Sequence, residues 1–512
     1  MFYNTESLLR EKRRGECPEK YEFRIWNFAA SPASKASFPG LQMKKVDFND
    51  GKITKDIFKT ALPMLAAQVL NLLYSIVDRM YIGRIPDTGT EALAAVGLCF
   101  PIIVLITGFT NMFGMGGSPL FSMALGRGDK KEAGEIQNTS FRLLILTAAC
   151  IIIIGEIFAA PILTLFGASQ EELPMAVSYL RIYLIGTFFI MTATGMNNFI
   201  NAQGYSIDGM ISVGIGACAN LILDPIFIFV FGWGIQGAAA ATVISQCLSM
   251  VYVLCFLFGK KNEFKISWAW KFPHAKNITV LGISPFIMQA TNSLVQIVCN
   301  NVLMNVGGSL YVSVMTIVSS VRSILDVPVM AVTEGASPTL SFNYGARRPD
   351  NVRKAIKVLM AAAFPYTVIV WLLVMLLPEI FVKIFSTDAE ILSDAVRALH
   401  IYFFAFIFQS FQYCGQTVFK ALGKKKKAIF FSLFRKVILV VPLTILLPRL
   451  FGLGTDGVFM AEPISNVVGG LACFITMLCT VLPELKQMER ENQKKNKRDL
   501  QTRQEEQLRA KS

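Results

Sequence analysis

The chain is 512 residues long, 53% hydrophobic and only 16% charged, whereas soluble domains carry about a quarter charged residues; a soluble globular protein is excluded. The net charge of +14 does not point to nucleic acid, because the basic residues lie between apolar segments rather than on one soluble face. The ten cysteines are isolated and nine sit in apolar stretches, and His274 and His400 are the only histidines, so neither a disulfide framework nor a metal or catalytic cluster is indicated.

Residues 1–52 are polar and contain no apolar core of a cleavable signal peptide. They are expected to form a disordered cytoplasmic extension, with Met43 an alternative start to Met1. Segments long enough to cross a bilayer then begin near Phe58, Ala92, Gln137, Ala176, Met210 and Gly237, and again near Val280, Leu310, Ala355, Ala395, Ala428 and Val458. The expectation is an all-α polytopic membrane protein of twelve spans. A bundle of six occupies 53–259, a connector 260–277, a second bundle of six 278–483, and a basic tail 484–512. Trp268, Trp270 and Phe272 alternate with lysines in the connector, as suits an interfacial segment.

With alternate loops assigned to the cytoplasm, that side receives 37 of the 49 Lys and Arg residues. By the positive-inside rule both termini are then cytoplasmic in a cell (inner) membrane.

Three motifs recur at nearly one offset. Gly116-Gly117-Ser118-Pro119 returns as Gly335-Ala336-Ser337-Pro338, with Gly126 and Gly345 ten residues on; Leu180-x-Ile182-Tyr183 returns as Leu399-x-Ile401-Tyr402; both are displaced by 219. Phe231-Gly232-x-Gly234-x-x-Gly237 returns as Phe451-Gly452-x-Gly454-x-x-Gly457, displaced by 220. Six spans per repeat relate the halves by a pseudo-two-fold along the membrane normal, with a cavity expected between them. The G-x-G-x-x-G pattern lies in loops between membrane helices rather than after a strand, and no G-x-x-x-x-G-K-[ST] loop occurs, so neither dinucleotide binding nor direct use of ATP is indicated. No interfacial His, Cys or Ser constellation for an enzyme assembles, and a secondary transporter without cofactor is the expectation.

A carboxylate in hydrocarbon must pair, line water or hold a proton, which makes each one a candidate site. Asp78 lies roughly 8 Å inside the outer end of the first span, at 1.5 Å per residue. Asp224 and Asn220, one turn apart in the fifth span, and Thr242 of the sixth fall at a matching depth. Together they offer hard oxygen donors for H⁺ or Na⁺. The alternatives are an Asp78–Arg79 pair and an Asp224 cap at Pro225. Pro63 and Pro225 are candidate kinks. Gln68 and Asn71 of the first span repeat as Gln289 and Asn292 of the seventh, displaced by 221; with Tyr74 they are candidate cavity residues. Arg322, Asp326, Glu334 and Glu462 form a possible second polar cluster, Glu462 being displaced by 220 from Thr242.

Val77-Asp78-Arg79-Met80-Tyr81-Ile82-Gly83, Leu223-Asp224-Pro225 and Glu334-Gly335-x-x-Pro338 with Asn343-Tyr344-Gly345 resemble the multidrug and toxic-compound extrusion (MATE) family, over residues 53 to about 483. The resemblance implies H⁺- or Na⁺-coupled antiport of organic, often cationic compounds by alternating access. It further implies that Asp78, Asn220, Asp224 and Thr242 form the cation site of the N-terminal half. One branch of the family uses acids in helices 7 and 10; here those spans carry Gln289, Asn292, Gln296, Gln409, Gln412 and Gln416, which argues against sodium coupling through that site. The rival reading is a flippase for lipid-linked sugars, which a cavity rich in basic residues would favour. A monomer in the lipid bilayer, acting on small organic substrates and not on nucleic acid, is expected.

Overall fold

A computed structural model describes residues 45–509 except 87, 167, 171, 268, 386–388 and 451. Met43 and the extension up to residue 44, together with Trp268 and Phe451, lie outside the described residues. In order come α1 (Ile53–Ile82), α2 (Gly89–Arg127), α3 (Lys130–Leu165), α4 (Leu173–Ala202), α5 (Ser206–Pro225), α6 (Gly234–Phe258), α7 (Ala275–Gly345), α8 (Pro349–Leu376), α9 (Pro378–Lys383), α10 (Ala389–Phe403), α11 (Gln409–Ala421), α12 (Lys425–Leu433), α13 (Val441–Leu450) and α14 (Gly454–Arg509). Ten of these, α12 and α13 joined as one, are long and apolar enough to cross a membrane, and the bent pair α10–α11 supplies an eleventh. The 71 residues of α7 reach roughly 105 Å at 1.5 Å per residue, far more than the ~30 Å hydrocarbon core. Gly308, at φ 76° and ψ −168°, breaks it into two spans. The chain is therefore a polytopic membrane protein with twelve spans in two bundles of six.

Several expected spans are not simple helices. Pro225 has no N–H to donate back to the Leu221 carbonyl in the preceding turn, and the fifth span continues beyond it as a π-helical stretch, Ile226–Val230. The eleventh carries another, Phe434–Val440, between α12 and α13. The tenth bends by 44° between α10 and α11. By contrast α1 runs unbroken through Pro63. The twelfth span continues as helix through the basic tail to Arg509, and Glu484, Glu489 and Glu491 hold it to Lys424, Arg353 and Arg347.

The repeated glycines explain themselves in the packing between halves. A Cβ on Gly126 of α2 would lie 2.0 Å from the Phe342 carbonyl oxygen, and one on Gly345 of α7 would lie 2.1 Å from that of Met123. These two contacts are mirror images under the repeat. Gly116 meets Ile278 and Gly282, and its mate Gly335 meets Ala61, again backbone against backbone. Only glycine permits such approach. Ile53 and Ile57 of α1 are fully buried in a cluster with Val329, Leu340 and Leu359 of the second half.

The residues just before α1 are packed, which corrects the expectation of disorder for this part of the extension. The Val46 N–H donates to the Gly204 carbonyl at 2.9 Å, and Phe48 meets the Phe342 ring at 5.8 Å between centroids. Arg348 Nη2 donates to Asn49 Oδ1 at 3.1 Å, and Lys45 pairs with Glu263 at 2.8 Å. Two apolar anchors and paired charges therefore tie 45–49 to both halves, enough to offset the entropy of ordering a short segment.

Candidate functional site

Asp224 sits at the end of α5 with its side chain fully buried, and Asn220, one turn earlier on the same face, is buried beside it. Asn220 Nδ2 donates to Asp224 Oδ1 at 3.0 Å and to Thr242 Oγ1 of α6 at 3.4 Å. Asp78 of α1 completes the group, close enough to Asp224 for the two carboxyls to interact. Two buried carboxyls this close repel when both are ionised, which favours a proton or a cation between them. Asp78 Oδ1, Asp224 Oδ2 and Asn220 Oδ1 are buried without a protein donor. Unpaired buried oxygens are costly, and hard oxygens of this kind suit H⁺ or Na⁺. Arg79 extends instead over the Phe100 ring, 5.9 Å from its centroid.

The four oxygen-bearing residues come from α1, α5 and α6, so all belong to the first half. Tyr179 and Tyr183 of α4, buried and stacked with centroids 6.1 Å apart, lie near Asp78. Neither was expected as a site residue. Their spacing of four, which puts both rings on one face of the helix, is the signal that marks them.

A cavity of about 260 Å³ adjoins this site. A cavity between the halves was expected; most of this wall is drawn from α1, α2, α4, α5 and α6 of the first half, and Glu334 of α7 is the second half's contribution to it. Gln68, Asn71 and Tyr74 line it, as do Asn220 and Thr242, which thus belong to both the cavity and the acid pair. Gln289 and Asn292 do not line it. Asn197 and Asn201, one turn apart on α4, contribute amides. Glu334 of α7 is the single charged side chain in the wall among the described residues, and Gln68 Nε2 donates to its Oε2 at 2.8 Å.

The expected second cluster divides. Arg322, Asp326 and Glu462 do meet, joined by Arg435 and Lys436 from the π-helical stretch. Glu334 is not among them; it faces the first half's cavity and Gln68. The reason is geometric: Glu334 lies three turns beyond Arg322 on α7, towards the glycine-packed end. Within the cluster every carboxylate oxygen has a donor. Glu462 Oε1 accepts from Arg322, Arg435 and Lys436, and its Oε2 from Lys436. Asp326 accepts from Gln409 at 3.0 Å and from Arg322 and Tyr413. Three built-in cations around two carboxylates leave nothing for an added cation to bind.

A family model described as MatE matches residues 63–226 and 285–446, one copy in each half. The chain belongs to the MATE family. Among curated MATE relatives, the multidrug export protein MepA of Staphylococcus haemolyticus is 26% identical over 436 residues, covering 84% of this chain and 94% of its own length. MepA of Staphylococcus aureus is 23% identical over 431 residues, with the same coverage of both chains. A solved outward-facing structure of a multidrug-resistance MATE transporter superposes with a TM-score of 0.81 at 24% identity, covering 87% of this chain and 99% of that one. A transporter of the same superfamily from Pyrococcus furiosus, whose structure is described as suggesting a different function from the reversed polarity of its pocket, also reaches 0.81 at 24% identity, over 86% and 99%. At that identity the structures attest the shared fold alone. As a MATE protein the chain is a membrane transporter and not an enzyme.

Proposed function

We propose that this MATE transporter is a secondary active antiporter of the cell membrane that exports drugs and other amphipathic organic compounds in exchange for H⁺ or Na⁺. The observation that carries the proposal is the sharing of Asn220 and Thr242 between the Asp78–Asp224 pair and the cavity. An ion entering the acid pair draws on the same amide and hydroxyl that face the substrate, so occupancy of one space alters the wall of the other. In this reading binding of the ion neutralises the pair and repacks α1 against α5, and the resulting bias between inward- and outward-open states releases substrate outside. The curated MepA relatives, multidrug exporters by name, support drugs as the substrate class.

The end where Gly126 and Gly345 pack is the end that carries most of the basic loops, and we assign it to the cytoplasm with both termini. One chain contains the whole cavity and the whole acid pair, which is consistent with a monomer as the working unit. A lipid-linked sugar flippase is less well supported, since the cavity wall offers a diphosphate one acid and no base among the described residues.

Purified protein in proteoliposomes with imposed proton or sodium gradients tests the reading. Efflux of a fluorescent cation should follow one of the gradients and be lost in Asp224→Asn and in Asp78→Asn. Gradient-driven efflux surviving in both variants would overturn it.

A further inference from the structure

A second, smaller void of about 40 Å³ lies at the boundary between the halves. It is built on the pseudo-two-fold axis, because its lining includes Pro119 with its mate Pro338, Met115 with its mate Glu334, and Asn201 with its mate Lys420, each displaced by 219. The chain thus places Met115 and Asn201 on one side of the axis and a carboxylate and an ammonium at the equivalent points on the other.

Those two charges face one another electrostatically without touching. Both side chains line the void, yet among the described residues no direct ion pair or hydrogen bond joins them. Gln68 satisfies only Oε2 of Glu334, and Lys420 Nζ makes no hydrogen bond to any described residue. A half-buried lysine and a half-buried glutamate that line one void without pairing are each left short of protein partners. The void continues into the larger cavity, for Met64, Met115, Asn198, Asn201 and Glu334 line both. The polar end of a molecule seated in the larger space can therefore reach towards Glu334 and Lys420.

The chemistry of that gap is selective. A ligand carrying only a cation gains Glu334 but approaches Lys420, and one carrying only an anion meets the reverse. A ligand bearing both charges answers both groups and replaces the void with two charge-assisted hydrogen bonds. We propose that Glu334 and Lys420 form a dipolar subsite that recognises amphipathic substrates carrying an ammonium and a carboxylate on one apolar body. This deepens the export reading and rests on it for the word substrate, while the binding itself needs no ion gradient.

The test uses three probes with one fluorophore: ε-dansyl-lysine, which carries both charges, its methyl ester, which keeps the ammonium alone, and its α-N-acetyl derivative, which keeps the carboxylate alone. Binding to the full-length protein in detergent is read by dansyl fluorescence, and export in proteoliposomes is measured separately. Wild type should bind the dipolar probe about tenfold more tightly than either partner. Lys420→Gln should weaken the dipolar probe by about the same factor and leave the ester unchanged or tighter. Glu334→Gln should weaken both the dipolar probe and the ester. The double exchange of Glu334→Lys with Lys420→Glu should restore the preference for the dipolar probe. Equal binding of the dipolar probe and the ester by wild type overturns the subsite, whether or not the variants fold, and so does equal weakening of both by Lys420→Gln. Loss of export with the binding preference intact would refute antiport and leave the subsite standing.

Discussion

Adding a single methyl group at Gly345 should drive the two halves apart at the end they share. The Cβ of Gly345→Ala would sit 2.1 Å from the Met123 carbonyl oxygen and 2.7 Å from its carbonyl carbon and Cα. Every atom in the way is backbone, so no side chain can rotate to relieve the clash. Ordinary contact between such atoms needs a separation of about 3.4 Å or more, and α2 must withdraw from α7 by ~1 Å. Overpacking of this kind costs about 1–3 kcal/mol. The strained surface lies between halves rather than inside one core, so parting the halves is the cheapest relief, and each 1.4 kcal/mol is about a tenfold shift in population. Spin labels at Lys131→Cys and Lys354→Cys, on α3 and α8 just beyond this contact, report the separation. Gly345→Ala should move the distance distribution to longer values and slow transport, and Gly126→Ala, 2.0 Å from the Phe342 carbonyl oxygen, should do the same. Gly97→Ala, with nothing within 4 Å of its Cβ, is the control. A wild-type distance distribution in both test variants would refute a tightly packed hinge between the halves.

The remaining predictions concern the polar groups. Asn220→Ala removes the donor to Asp224 and Thr242, and the coupling-ion concentration for half-maximal transport should rise about tenfold; an unchanged value would separate Asn220 from the ion. Glu462→Gln leaves Arg322, Arg435 and Lys436 around a neutral group and should cost about 3–5 kcal/mol, seen as a large drop in Tm; a wild-type Tm would show that the network relaxes or is solvated. Glu263, outside the membrane, is held down to about 2 by hydrogen bonds from Lys45 and Lys130. Because its folded value is depressed, its stabilising contribution is complete above the ordinary carboxylate range and is lost only as pH falls towards 2. Exchange protection of the Val46 amide should therefore be flat from about pH 8 to pH 5.5 once intrinsic rates are removed, and lower throughout in Glu263→Gln. The effect will be modest, as the pair is over 40% exposed on each side. A loss of protection between those two pH values would assign the hold on the segment to another group.

Hydropathy made the spans legible because water-free backbone must close its own hydrogen bonds, and only long apolar helices do so. It also separated the spans beginning near Val280 and Leu310, and the break between them falls at Gly308, where one glycine turns a continuous helix into two crossings. The depth of Asp78, Asn220, Asp224 and Thr242 was legible for a related reason: rise per residue converts sequence position into height in the bilayer. Height does not fix azimuth, however. Gln68 and Gln289 are equivalent by repeat, yet only Gln68 faces the cavity, and Glu334 was grouped with Arg322 from a list of charges when the two point to different spaces. The Phe48 anchor was hidden because a single aromatic residue in a polar segment carries no periodicity.

The repeat also accounts for why the acid pair sits in one half only. Displacement by 221 carries Asp78 to Cys299, and displacement by 220 carries Asp224 to Thr444 and Thr242 to Glu462. Cys299 and Thr444 do meet, with Sγ and Oγ1 3.8 Å apart, so the second half reproduces the contact between the first and fifth spans of its repeat with the charges taken out. Where the first half has the Thr242 hydroxyl the second has Glu462, and Arg322, Arg435 and Lys436 already occupy it. The same backbone frame thus presents bare carboxylates on one side of the axis and a carboxylate neutralised by fixed cations on the other. A mobile cation can be exchanged only where none is covalently supplied, which is the physical ground for expecting ion coupling in the first half and a constant, supporting role for the charges of the second.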